Sequence, residues 1–171
     1  GRMLVNCDPP TTGAGVIPTI TATRGEDAVT GEVLTDRVDV TVQLPSGVDA
    51  SDPTLKGIAL YRWPYDTNKY PTEMVKKLTF TQADRTALKS QFVISDFVSP
   101  SCSQAASRDK QNRRFEYHAR VIQTIASSSG ALMDVEGSPS NEDQGYSGVT
   151  PPTLTVANGP DCIVTLSWNV Y

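Results

Sequence analysis

Three features of the sequence predict an all-β chain folded as an antiparallel β-sandwich. Short runs alternate apolar and polar residues, as in Val38-Asp39-Val40-Thr41-Val42 and Phe115-Glu116-Tyr117-His118-Ala119-Arg120-Val121. Alternation of this kind belongs to strands with one buried face and one wet face. Clusters of Gly, Pro, Ser and Asp separate the runs, the spacing expected of a sandwich. Finally, Pro18-Thr19-Ile20-Thr21 returns as Pro152-Thr153-Leu154-Thr155, and each copy leads into an alternating run, the second being Val164-Thr165-Leu166-Ser167-Trp168. The chain therefore reads as one full sandwich followed by the opening of another.

Residues 1–17, rich in Pro, Thr and Gly, form an extended leader in which Pro9-Pro10 fixes the backbone. Residues 18–149 carry the sandwich. Strands are expected over 18–23, 36–44, 56–63, 73–80, 91–97, 113–125 and 131–137. On the second of these, Val38, Val40, Val42 and Leu44 share one face. On the sixth, Phe115, Tyr117, Ala119 and Val121 face one way, and Glu116, His118 and Arg120 the other. A helix of two turns is predicted from Thr81 to Lys89, with a capping threonine, an acid in its first turn and bases later. Ser127-Ser128-Ser129-Gly130 supplies a hairpin turn. Pro151-Pro152 marks the boundary to residues 150–171, which read as the first two strands of an incomplete second unit, or as a segment donated to another molecule.

Composition limits the function. The 171 residues carry a formal net charge of −4, which weighs against nucleic acid and anionic membranes as partners. Lys76-Lys77 and Arg113-Arg114 are too short to form a basic patch. No apolar run approaches the roughly 20 residues of a membrane-spanning helix. Met3-Leu4-Val5-Asn6-Cys7 lacks the apolar stretch of a lipoprotein signal, and Asn6 suits it poorly. Cysteines at 7, 102 and 162 show no CxxC spacing and no clustering with histidine, so zinc is not implied. Their Pro-, Ser- and Asp-rich surroundings suit a disulfide in an oxidising compartment, with Cys7 and Cys102 the first choice of pair. Three reduced thiols are the alternative.

No catalytic or cofactor-binding residue stands out. His118 is the sole histidine, and its neighbours in sequence suit a cross-strand polar contact better than a general base. No nucleophile elbow, phosphate loop or dinucleotide fingerprint occurs. Asp134, Glu136, Glu142 and Asp143 are too few and too loosely spaced to establish a calcium site, which takes about six to eight oxygens. Tyr61, Trp63 and Tyr65, followed by Tyr70, are the best ligand-binding candidates, because exposed aromatics stack on sugars or anchor proteins. The plainer account of Trp63 and Tyr70 is a satellite apolar cluster over an enlarged loop.

Several segments resemble the fibronectin type III family. Ile58-Ala59-Leu60-Tyr61-Arg62 is similar to its C strand, Phe115 to Gln123 to its F strand, and Ser140-Asn141-Glu142-Asp143-Gln144-Gly145-Tyr146 to its G-strand exit. Residues 152–168 resemble the A and B strands of the next copy, Trp168 included. The resemblance implies an immunoglobulin-like topology, in which the helix read from Thr81 to Lys89 falls in the C′–E connection. Val42 departs from it by standing where the first copy would carry tryptophan. Phe115 departs by occupying the position of the corner tyrosine, and the sandwich is longer than the ~100 residues usual for such folds. Arg24-Gly25-Glu26-Asp27 differs from the attachment tripeptide of some members by its glutamate and its place after the first strand, so no attachment function is carried over.

The expected function is a non-enzymatic structural module of a secreted or cell-surface protein, pairing strands to form a filament. Leu154, Val156, Ile163, Leu166, Trp168 and Val170 would fill the partner's apolar slots. Two alternatives stand beside it: a spacer in a tandem array, and a carbohydrate-binding accessory domain. The expected partners are copies of the chain or neighbouring domains of the same protein, with carbohydrate a further class.

Overall fold

Alternation in the sequence becomes two antiparallel sheets packed face to face. The computed structural model describes residues 15–65, 67–69, 72–98, 114–147, 154–158 and 164–168. Its strands are β1 (Thr19–Glu26), β2 (Val33–Gln43), β3 (Leu55–Pro64), β4 (Glu73–Thr79), β5 (Gln91–Phe97), β6 (Arg114–Ala126), β7 (Leu132–Glu136), β8 (Asp143–Tyr146), β9 (Leu154–Asn158) and β10 (Val164–Trp168). One short helix, α1 (Gln82–Thr86), connects β4 to β5. The fold is thus an all-β sandwich with a short helix where the sequence places it.

One sheet runs β1-β2-β5 and the other β4-β3-β6, with β7 and β8 sharing the last edge. β7 pairs with Ile122 to Ala126 of β6, and β8 with Arg114 to Tyr117, so the two act as one interrupted edge strand. β4 pairs with β3 and not with β5. Val38, Val40 and Val42 are buried on the face of β2 that alternation selects, with Leu44 buried just past its end, and Tyr117, Ala119 and Val121 are buried on that of β6. Phe115 packs against this core, partly buried. Each fully buried aliphatic side chain contributes about 1.5–3 kcal/mol. Phe80 and Phe92 stack at 4.6 Å within the same core.

Polar side chains join the sheets at two places. Asn141 accepts from the Ile20 amide at 2.8 Å and donates to the Ile20 carbonyl at 3.1 Å, imitating a strand neighbour. Asp143 accepts from the Ala22 amide at 2.7 Å. Elsewhere the guanidinium of Arg62 on β3 holds both carboxylate oxygens of buried Asp96 on β5 at 2.8 Å, and the Tyr117 hydroxyl donates to Asp96 at 2.9 Å. Phe115 has no hydroxyl with which to make a corner bond. Tyr117 makes a hydroxyl bond instead, to a side chain and not to the backbone.

α1 buries no residue and is held by its ends. Thr81 and Asp84 form a reciprocal capping box. Arg85 then donates to the carbonyls of Ala50, Asp52 and Leu55, which ties the helix to the chain entering β3.

Four elements differ from the sequence expectation: β2 begins at Val33 and not at 36, α1 spans only Gln82–Thr86, and β1 and β8 depart further. β1 continues past residue 23 to Glu26 through an irregularity between Arg24 and Gly25. A Cβ on Gly25 would meet the Arg37 side chain at 2.8 Å, so the close crossing requires glycine. β8 was expected only as an exit from the last strand. The leader through residue 14, most of the connection before residue 114, and Pro151-Pro152 lie outside the described residues.

Candidate functional site

Tyr61 and Trp63 project from β3 onto the outer face of their sheet, where register sets Tyr61 opposite His118 and Trp63 opposite Glu116. The Tyr61 hydroxyl donates to the Glu136 carboxylate, with contacts of 2.9 and 2.7 Å. Burial first, then the Glu136 bond and charge, push the phenol's pKa well up. Trp63 is only 1% exposed, and its indole N–H donates to Glu116 at 2.6 Å. Asn68 and Lys69 both adopt left-handed backbone (φ 51° and 66°) after β3. The Lys69 ammonium lies 5.4 Å from the Trp63 ring centroid and is paired with Glu142. Tyr65 is 41% exposed, but the Arg114 guanidinium sits over its ring at 4.0 Å.

His118 completes this layer. Its ring meets Tyr61 at 5.4 Å and Trp63 at 5.2 Å, both edge-on. The residue is on the outer face, as alternation requires, yet only 8% exposed, and its Nδ1 has no hydrogen-bond partner. Its contacts are therefore aromatic, and the expected cross-strand polar contact is not made at that nitrogen. Burial, followed by the charges of Arg120 and Lys69, lowers its pKa to about 4 against an opposing pull from Glu142. The imidazole is neutral at pH 7. A general base must reach the proton it abstracts, whereas this ring lies beneath its neighbours.

Stacking on a sugar requires an open ring face. Trp63 offers none in this arrangement, and Tyr61 and Tyr65 each engage protein groups. Sequence inspection named Glu136 only as a calcium candidate and Glu116 only as a face residue; that they are partners of these rings emerges from the pairing of the strands. Tyr70 lies outside the described residues.

The acids considered for calcium are likewise engaged. Asp134 accepts from the Thr124 hydroxyl at 2.6 Å, Glu136 from Tyr61, and Asp143 from the Ala22 amide, while Glu142 pairs with Lys69. No group of three or more metal-ligating side chains converges among the described residues. Cys7, Cys102 and Cys162 all lie outside them.

The repeated segment has its own geometry. β9 and β10 pair antiparallel, with Leu154 opposite Trp168, Val156 opposite Leu166 and Asn158 opposite Val164. The first copy has Ile20 opposite Val42, Ala22 opposite Val40 and Arg24 opposite Val38. Aligning the two sequence copies therefore aligns the two registers, pair for pair. Among the described residues β9 and β10 pair only with each other. Leu154, Val156, Leu166 and Trp168 fall on these strands, and Ile163 and Val170 outside the described residues.

No protein-family model matches the chain, and a search of curated proteins finds no match.

Proposed function

We propose that the chain is a non-enzymatic structural module of a secreted or cell-surface protein, related to the fibronectin type III sandwiches and joined to its neighbours by strand pairing through the β9–β10 hairpin. One observation carries this reading. The hairpin repeats the β1–β2 register, yet among the described residues it has none of the sheet that β2 has beside it. A two-stranded hairpin is marginal in water by itself, so further strands would stabilise it. Supplied by other copies, those strands make the molecule a filament subunit, because head-to-tail contacts propagate. The family assignment draws support from the strand order, in which the fourth strand joins the third. The oxidising location rests on the sequence surroundings of the cysteines.

A spacer in a tandem array is the second reading, and the shared register favours it specifically, since an array repeats whole units. Sedimentation of the full chain across a wide concentration range separates the two. Assembly predicts growth in mass, abolished by Leu166→Pro, which removes a backbone donor within β10. A monomer at every concentration would leave the tandem spacer. Carbohydrate binding predicts quenching of tryptophan fluorescence by oligosaccharides, lost in Trp63→Ala.

A further inference from the structure

We infer that the free edge of β5 is the acceptor for β10 of a second copy, so that the β1-β2-β5 sheet of one molecule continues into the hairpin of the next. The inference rests on the strand-pairing function proposed above and names the surface through which it acts.

The edges of the sandwich are not equally protected. Natural sheets blunt their edges with lysines, bulges, short strands or covering groups. β1 is covered, because Asn141 and Asp143 occupy backbone groups of Ile20 and Ala22. β4 carries Lys76 and Lys77, and its pairing shifts register between Leu60 and Tyr61. The last edge is divided between two short strands, β7 and β8. Among the described residues β5 has none of these four, and the one further device it carries, an inward-pointing charge, is offset by an ion pair. It pairs with β2 without a shift, contains no lysine or proline, and among the described residues pairs with β2 alone. Its one charge, Asp96, points inward and is neutralised by Arg62. Its outward face presents Val93, 55% exposed, and Phe97, 70% exposed.

The donor follows from the repeat. β2 holds β5 with Val38, Val40 and Val42 opposite Asp96, Ile94 and Phe92. β10 carries Val164, Leu166 and Trp168 at the corresponding positions of the repeated hairpin. It therefore has the alternation that already holds a β5 strand, and its sequence is uncharged. Inward and outward residues keep their faces on either edge of a strand. Added to the free edge of β5, Val164, Leu166 and Trp168 would extend the inner layer, with Thr165 and Ser167 beside Val93 and Ser95. The contact uses different surfaces on its two partners, so it leaves one acceptor and one donor unused at the ends of every chain of molecules.

Hydrogen exchange by mass spectrometry on the full chain, dilute and concentrated, combined with sedimentation, tests this. On concentration, amides of β5 and β10 should gain protection together as species larger than dimers appear. Val93→Lys with Phe97→Lys changes two exposed positions and should weaken association roughly ten-fold or more with the monomer's melting unchanged. Assembly that Leu166→Pro abolishes but the lysine pair leaves intact overturns the β5 assignment while sparing the function above. New protection on β1 or β4 instead of β5 does the same. Protection of β5 without β10, in a closed dimer, indicates symmetric pairing of two β5 strands and overturns it too. A monomer at all concentrations overturns both proposals.

Discussion

Asp96 is the residue on which the two sheets depend at one side of the core. It lies on β5, yet its carboxylate is shared between Arg62 on β3 and Tyr117 on β6. A buried carboxylate is tolerated only when such partners replace its water. Tyr117→Phe removes the hydroxyl and keeps the ring. It should lower the unfolding free energy by about 1–2 kcal/mol in urea melts at pH 7, since a hydrogen bond to a charged group is lost. An unchanged midpoint would mean that Arg62 alone satisfies the carboxylate. His118 offers a different test, through pH. Its pKa falls from the ordinary 6.5 to about 4 in the folded chain, so the unfolded chain binds the proton more tightly. Its contribution is therefore intact above pH 6.5, is lost progressively as pH falls toward 4, and declines no further below that. The charged groups facing the ring include Arg120, Lys69 and Glu142, with Glu116 and Glu136 on its aromatic neighbours, so the control is His118→Phe, which keeps all of them. The difference in stability between the two proteins should change between pH 6.5 and 4 in the variant's favour. Parallel curves would show that the imidazole accepts its proton as freely in the folded state.

At the scale of elements, β8 and the turn before it do more than their few residues suggest, because Asp143 at the strand's start and Asn141 just ahead of it close the seam with β1. Asn141→Ala forfeits two hydrogen bonds to Ile20 and leaves partly buried backbone groups unpaired. A loss of about 1–3 kcal/mol is expected, with faster exchange of the Ile20 amide as its local signature. Slow exchange there in the variant would show that water or the neighbouring strand replaces the asparagine. This seam marks the limit of what the sequence disclosed. Strands β2, β3, β5 and β6 were legible because apolar residues alternate along them, and α1 because Thr81 and Asp84 form a local cap. β8 was not, since Asp-Gln-Gly-Tyr has no alternation and its role comes from contacts made over more than a hundred residues of chain. The aromatic group shows the same division. Tyr61, Trp63 and Tyr65 could be picked out as a cluster, but the burial of Trp63 depends on Glu116 across the register and on Lys69, itself anchored by Glu142. Periodicity reports which face a residue takes and not what later covers that face.

For the whole molecule, the central question is whether the hairpin belongs to the cooperative unit formed by the sandwich. The repeat itself was legible from Pro-Thr-Ile-Thr and Pro-Thr-Leu-Thr, whereas its antiparallel register emerged only with the fold. β3 and β6 lie inside a sheet, each paired on both sides, and they supply much of the core. β9 and β10 pair only with each other among the described residues. Amides that open only by global unfolding exchange slowest, and those released by local opening exchange much faster. In a dilute solution of monomer, the amides of Thr155 to Ala157 and Thr165 to Ser167 should therefore exchange about a hundred-fold or more faster than those of Ile58 to Leu60 and Ala119 to Val121, after correction for intrinsic rates. Tyr117→Phe should accelerate only the slow set, because the hydroxyl it removes bonds Asp96 within the sandwich. If both sets respond in proportion, the hairpin unfolds with the sandwich and already has its sheet. If only the slow set responds, the hairpin is an independent element whose stability must come from strands supplied by a neighbour or a further unit.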